Sequence, residues 1–334
     1  MTFEEKKSGD QDTTPLNTEQ QATVIIPCFN VEAYIIDCLD SVELQGESVY
    51  HTFIVDNNCT DNTIAMVREW QKAHPAFSLT IAKETTPGAP AARNHPLALV
   101  KTNWVQFLDA DDVLLANKIS DQIKRFPDAD VICAGGIHVA IDGTERQSIP
   151  EPNIPLALMK GQAGITSSNL FSTTSVQTVQ GWAESLKSSQ EYDLMFRLWQ
   201  SGGTFSVDIL PRALIRERPS GQISQRNPKE KWVQLIELRL QMLTAFTAKN
   251  SIPSLHLQKC YQSFFDCLRV LAKFDLRAAS NYHNTHLKPL SFNPQPNVTN
   301  SVAYCRIYNI VGFKIAESIK GVSSKIHSIF PPTK

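Results

Sequence analysis

Trp104-Val105-Gln106-Phe107-Leu108-Asp109-Ala110-Asp111-Asp112 is a short apolar run that stops in three carboxylates. A Val/Phe/Leu run of this length with polar residues at both ends predicts a buried strand, which places the acids at its carboxyl end. In open α/β sheets, ligands sit at that edge. Asp109 and Asp111 point to the same side if the extended backbone continues. Paired hard oxygen ligands suit Mg²⁺ or Mn²⁺ carrying a phosphate. A helix N-cap before Val113 would need only one of the three acids.

Working outward, Ala22-Thr23-Val24-Ile25-Ile26-Pro27 reads as a first strand, and residues 32–44 carry apolar positions at helical spacing. His51-Thr52-Phe53-Ile54-Val55 repeats the pattern, closing on Asp56 and a polar turn before a helix over 63–72. Two βα units in succession favour a parallel sheet with right-handed crossovers. A third strand is expected at 77–82, then an irregular loop with Gly88 and two prolines, and a short helix reaching Leu99. Beyond the acidic turn, a helix over 118–126 precedes two strands at 129–134 and 137–141, the second ending in an Asp142-Gly143 turn. Further strands are expected at 167–171, 205–210 and 213–216, with a short helix over 156–160 and helical periodicity in the later part of 189–199 that stops at Gly202-Gly203. Helical periodicity then dominates over 232–246, 256–274 and 302–329. The organisation expected is a disordered polar leader at 1–20, an α/β Rossmann-like domain at 21–225 and a helical extension at 226–334.

With 334 residues and 42% hydrophobic content, the chain can bury a sizeable core. Its 32 basic and 33 acidic residues leave a net charge of −1, which disfavours nucleic acid as a partner. Seven scattered cysteines without CxxC spacing argue for reduced thiols, most of them small core residues, in a cytoplasmic protein. No apolar run approaches the roughly 20 residues of a membrane span.

Five blocks carry a resemblance: Val24 to Asn30, Val55 to Thr63, Gly88 with Ala92-Arg93-Asn94, Phe107 to Asp112, and Gly181-Trp182 through Gln190-Glu191-Tyr192-Asp193-Leu194. In this order they resemble the family 2 glycosyltransferases, over roughly residues 22–225. The resemblance implies a GT-A Rossmann-like mixed sheet flanked by helices. It also implies a nucleotide-diphosphate sugar donor, Mn²⁺ or Mg²⁺, and an inverting transfer to a hydroxyl of a saccharide or lipid-linked acceptor in cell-surface polysaccharide or glycolipid assembly. On it, Asp56 would meet the base or ribose, with Pro27, Phe29 and Asn30 walling the same pocket. Asp111 would be the more direct metal ligand, and Asp109 would reach the ribose or the metal's water. Arg93 and Arg218 would face the donor's phosphates or sugar, and residues 220–224 resemble the loop that closes over the donor. Glu191 is the choice for general base by its position in the last block. Asp193 sits at a helix start, where an acid is stabilised by the macrodipole. The chain departs from the family's frequent Asp-Asp-Gly-Ser form at Asn57-Asn58-Cys59, and Gln190 stands where an acid is common.

Ile315, Ile319, Val322, Ile326 and Ile329 share one face of the last predicted helix, with Lys314, Lys320 and Lys325 elsewhere. Packing on the core is the more usual fate of such a stripe. A basic amphipathic stretch at 314–330 also suits peripheral contact with an anionic membrane at the inner face. Three rival functions remain at this level. A phosphoacceptor receiver-like module, whose strand-end acids also bind Mg²⁺, would leave the second half of the chain unexplained. A nucleotidyltransferase would need a Gly-rich basic loop where Pro27-Cys28-Phe29-Asn30 stands. A degenerate, non-catalytic sugar-nucleotide binder would fit Asn57 and Gln190.

Overall fold

The computed structural model describes residues 17–218, 228–248 and 252–329, with residues 228 and 320–329 as backbone alone. Its strands are β1 (Ala22–Cys28), β2 (Val49–Asp56), β3 (Leu79–Lys83), β4 (Trp104–Phe107), β5 (Val113–Leu114), β6 (Val131–Val139), β7 (Glu145–Gln147), β8 (Leu170–Ser172) and β9 (Phe205–Arg216). They form one mixed sheet in the order β3-β2-β1-β4-β8-β6-β9-β5, with β7 added to β6. The β3-β2-β1-β4 half is parallel. β8 runs antiparallel between β4 and β6 and so makes the sheet mixed.

The parallel half is covered on both faces, which is why its strands read as continuous β-branched runs. Val24 and Ile26 pack with Ile35, Leu39, Val67 and Trp70 from the helices Ile35–Glu43 and Thr63–Ala73. The alternate Ile25 joins Val55 and Phe107 in a core shared with Leu194 and Phe196 of the helix Gln190–Gln200. The same core takes in Ile236, Phe246, Phe264 and Phe265 from the C-terminal helices. Full burial of one such side chain contributes about 1.5–3 kcal/mol, so sheet and C-terminal helices hold each other through many residues of this kind.

Two pairs of expected strands are in fact single ones. β6 runs through Gly135-Gly136, where the chain passes so close to its neighbours that a Cβ on Gly135 would stand 1.9 Å from the Ser148 carbonyl oxygen. β9 continues through Pro211, and its pairing with β6 shifts register between Ala134 and Ile137, which absorbs the proline. The expected strand at 167–171 begins only at Leu170, leaving Ser167–Asn169 as buried chain outside the ladder.

The C-terminal part contains, among the described residues, the helices Pro228–Ala248, Ser254–Ala272, Leu276–His286 and Val302–Ile329. The third was not expected. It is capped by Asp275, whose side chain accepts from the Ala278 N–H at 2.9 Å. The last is broken at Gly312, with φ of 75°. Upstream of the break Tyr304, Cys305 and Tyr308 are buried, and beyond it Phe313, Ala316 and Glu317 are. Glu317 turns inward because the buried Arg269 guanidinium donates to it at 2.6 Å. The isoleucine stripe therefore does not face the core where it is described: Ile315 and Ile319 are 52% and 46% exposed. The rest of the stripe, most of the leader and the loop at 220–224 lie outside the residues described with side chains.

Candidate active site

The carboxyl ends of β2, β1 and β4 lie side by side, since Cys28 pairs with Asp56 and Ile25 with Phe107. Asp56 closes β2, and its Oδ1 accepts the Cys59 N–H at 2.9 Å. Pro27 is partly buried beside Val55, while Phe29 is 56% exposed. Asn30 adopts a left-handed conformation, φ 51°, and its Oδ1 accepts the Thr60 N–H at 2.8 Å. The link is reciprocated: Asp61 accepts the Glu32 N–H at 3.1 Å and Glu32 accepts the Asn62 N–H at 2.9 Å. The turns after β1 and β2 are thus locked to each other at the sheet edge.

Asn57 gains a meaning that a comparison with acids at this position obscures. Its Nδ2 donates to the carbonyls of Glu84 at 3.0 Å and Thr86 at 2.7 Å, and its Oδ1 accepts the Gly88 N–H at 2.8 Å. An ionised aspartate has no proton to offer two carbonyls, so asparagine here anchors the 84–88 loop. Gly88, φ 127°, opens the helix Ala89–Asn94 that delivers Arg93.

Arg93 is buried, lies 4.3 Å from the Trp182 ring centroid and donates to Asp109 Oδ1 at 2.5 Å. The neighbouring Asn94 explains how two distant blocks meet. Its side chain accepts the Trp182 N–H at 2.8 Å and donates to the Trp182 carbonyl at 2.8 Å. A Cβ on Gly181 would stand 2.4 Å from Asn94 Oδ1, so only glycine leaves room for this clip. Asp111 is held by the Arg218 guanidinium, which also lies 5.1 Å from the Tyr34 ring centroid. Asp112 is buried, accepting from Ser167 Oγ at 2.6 Å and from the Arg216 N–H at 3.2 Å. Burial, with the charges of Asp109 and Asp111 beside it, raises its carboxyl well above the ordinary range.

Glu191, in the first turn of the helix Gln190–Gln200, accepts from Asn169 Nδ2 at 3.1 Å. Its carboxyl is pushed up to about 8. Desolvation is the main cause, opposed by the nearby Arg93 guanidinium, reinforced by the charge of Asp109, and opposed again by hydrogen bonds from Thr166 and Asn169. Asp193 is occupied by Arg197 at 2.8 Å. The structure therefore gathers Arg93, Asp109, Asp111, Arg218 and Glu191 into one cluster. Pro27, Phe29, Asn30 and Asp56 line the adjacent strand ends. Tyr34, Ser167 and Asn169 also take part in these contacts and were not singled out by sequence. Nothing in their spacing marks them.

Among the described residues no three His, Cys, Asp or Glu side chains converge as a ready-made metal cage. Asp109 and Asp111 nevertheless fit a divalent cation that takes one or two carboxylates and completes its shell with phosphate oxygens and water.

The family model described as Glycosyl transferase family 2 matches residues 23–181. The putative teichuronic acid biosynthesis glycosyltransferase TuaG of Bacillus subtilis is 31% identical over 108 residues, 32% of this chain and 42% of that protein. The aligned stretch is only 16% and 18% of two larger curated relatives, so the chain spans less than half the length of each of these proteins. Among solved structures, S. aureus TarS 1-349 in complex with UDP-GlcNAc has a TM-score of 0.64 at 16% identity, covering 91% of this chain and 92% of that one. The mannosyltransferase PcManGT from Pyrobaculum calidifontis in complex with GDP-Man and Mn²⁺ has a TM-score of 0.51 at 17% identity, covering 95% and 91%. With five blocks in order on a GT-A sheet, residues 23–181 of this chain form a glycosyl transferase family 2 domain.

Proposed function

We propose that the protein is an inverting glycosyltransferase that moves a sugar from a nucleoside-diphosphate donor to an acceptor hydroxyl in cell-surface polysaccharide assembly. The observation that supports this most is the cluster itself: two acids and two guanidiniums at the sheet's carboxyl edge, with a desolvated carboxyl, Glu191, close enough to feel Arg93 and Asp109. Asp56 would accept from the base or ribose, with Pro27, Phe29 and Asn30 walling that pocket. Asp111, with Asp109, would hold Mn²⁺ or Mg²⁺, which supplies charge neutralisation on the departing diphosphate. Arg93 and Arg218 are placed to bind phosphate or sugar oxygens through their planar donor forks. Glu191 takes the proton from the acceptor hydroxyl as its oxygen attacks the anomeric carbon. The bond to the diphosphate then breaks on the opposite face, leaving the electron pair on the phosphate oxygen.

The direct test is incubation with Mn²⁺ and a panel of nucleotide sugars that includes UDP-GlcNAc, reading slow release of free nucleoside diphosphate. Release from one donor supports the enzyme. Tight nucleotide binding without release from any donor would favour the non-catalytic binder, and pyrophosphate-dependent formation of nucleoside triphosphate would favour the nucleotidyltransferase.

A peripheral membrane site is supported by the exposed Ile310, Ile315 and Ile319, with Lys314 among them. No helix among the described residues is long and apolar enough to cross a membrane. All seven cysteines are free and six are buried, which fits a reducing compartment. The double variant Ile315→Glu, Ile319→Glu should keep its melting temperature and lose co-sedimentation with vesicles of mixed zwitterionic and anionic phospholipid. Unchanged sedimentation would rule the site out.

A further inference from the structure

The polar segment Ser167-Ser168-Asn169 is fully buried, and none of it has a charge or a place in the ladder. Each of its carbonyls is caught by a buried side chain from the strand or helix beside it. Gln106 donates to Ser167 at 3.0 Å, Gln122 to Ser168 at 3.2 Å and Lys118 to Asn169 at 3.0 Å. Burying polar groups is costly unless they are paired, and pairing of all three carbonyls together with the Ser167 and Asn169 side chains fixes the segment, with Ser168 Oγ left without a partner. Its side chains reach in two directions. Ser167 Oγ accepts the Asp109 N–H at 3.1 Å and donates to Asp112 at 2.6 Å, which fixes the acidic turn. Asn169 Nδ2 donates to Glu191 at 3.1 Å.

The amide of Asn169 has only one possible orientation. Its Oδ1 accepts the Ala134 N–H at 2.8 Å, a group that can only donate, so the NH₂ must face Glu191 and the Ala163 carbonyl. Gly164, φ 88°, makes room for it, because a Cβ there would stand 2.0 Å from Asn169 Oδ1.

We propose that Asn169 is a positioning residue: it holds the Glu191 carboxylate at a set place relative to the Asp109–Asp112 turn, through the buried 167–169 segment that touches both. This rests on Glu191 acting as the base. A base held rigidly by a pre-formed partner acts in one geometry, and loosening such supporting contacts typically costs about 10- to 100-fold in activity.

The test is a double-mutant cycle with Asn169→Ala and Glu191→Gln, reading UDP release from UDP-GlcNAc with Mn²⁺, alongside UDP binding by calorimetry and thermal melting. Asn169→Ala should lower turnover by about 10- to 100-fold with UDP affinity within about twofold of the parent. In the Glu191→Gln background it should add less than about twofold, because both changes remove the same function. Equal losses in the two backgrounds, or UDP binding that falls in step with turnover, would show a merely structural role and overturn the proposal. Asn169→Asp serves if the alanine variant does not fold, since it keeps the volume and the bond to Ala134 while replacing the donor to Glu191 with a carboxyl oxygen that cannot hold an ionised Glu191 in place. Parent-like turnover of the aspartate variant would equally overturn it. Independently of any donor, a crystal structure of Asn169→Ala should show the Glu191 carboxylate displaced, and an unmoved carboxylate would overturn the proposal. Normal turnover of Glu191→Gln alone would instead remove the base reading, a different result from a multiplicative cycle around an inactive Gln variant.

Discussion

Replacing Glu191 by glutamine should lower turnover by about 10²- to 10⁴-fold while leaving nucleotide affinity near that of the parent. The substitution preserves volume and the hydrogen bond from Asn169 and deletes only basicity. Nucleotide recognition is expected at Asp56 and the acidic turn, on other strands, so calorimetry with UDP and Mn²⁺ should barely change. Near-normal transfer by the glutamine variant together with an inactive Asp193→Asn would move the base two residues on. Asp193 is poorly placed for that, because Arg197 already occupies it at 2.8 Å.

The same carboxyl sets an expected pH dependence. Its folded value of about 8 lies above the ordinary 4.5, so the protonated form is favoured by folding. The stability this contributes is fully present below about 4.5 and is lost as pH rises through 8. Without divalent cation, the parent's melting temperature should therefore fall relative to that of Glu191→Gln between pH 5 and pH 9. Activity moves the other way, since the base must be ionised, and kcat/KM of the parent should rise through the same window. A melting difference that stays flat with pH would show that Glu191 is not held protonated in the free protein.

Much of this site was legible because its physics is local. β1, β2 and β4 announce themselves as apolar runs that end in polar turns, and a strand that stops at Asp109 must leave its acids on the sheet edge. Arg93 and Trp182 were legible only as members of separate blocks. What joins them is the fit of Asn94 against Gly181, a contact 87 residues apart in sequence that no periodicity encodes. Asn57 looked like a lost acid because its partners are backbone carbonyls, which leave no mark in side-chain sequence. Ser167–Asn169 resembled a strand because a buried polar segment and an edge strand share a composition. Its real partners, Gln106, Lys118 and Gln122, lie 46 to 61 residues away. Of the C-terminal stripe, Ile315 and Ile319 stay exposed because Phe313, Ala316 and Glu317 take the inward positions beyond Gly312, Glu317 drawn in by Arg269, a partner 48 residues away that the apolar spacing does not reveal.

Asp111→Asn should lower transfer on the order of 10³-fold, a loss of the several kcal/mol that metal-assisted charge stabilisation supplies. Nucleoside-diphosphate binding should weaken at the same time and lose most of its Mn²⁺ dependence, because a neutral amide is a poor ligand for a hard cation. The fold should survive, as Asp111 lies on a partly exposed turn rather than in the core. The ion pair with Arg218 offers a competing account, in which Asp111 does no more than anchor that arginine. The two accounts separate on Arg218→Met. If anchoring were the whole role, the two variants would share one phenotype, with Mn²⁺ dependence intact in both. If Asp111 holds the cation, the guanidinium must give way when metal and donor arrive. Arg218→Met should then bind Mn²⁺ at least as well as the parent in the absence of nucleotide, having lost a competing charge, while Asp111→Asn binds it worse. Parent-like turnover and Mn²⁺ dependence in Asp111→Asn would remove the metal from this turn altogether.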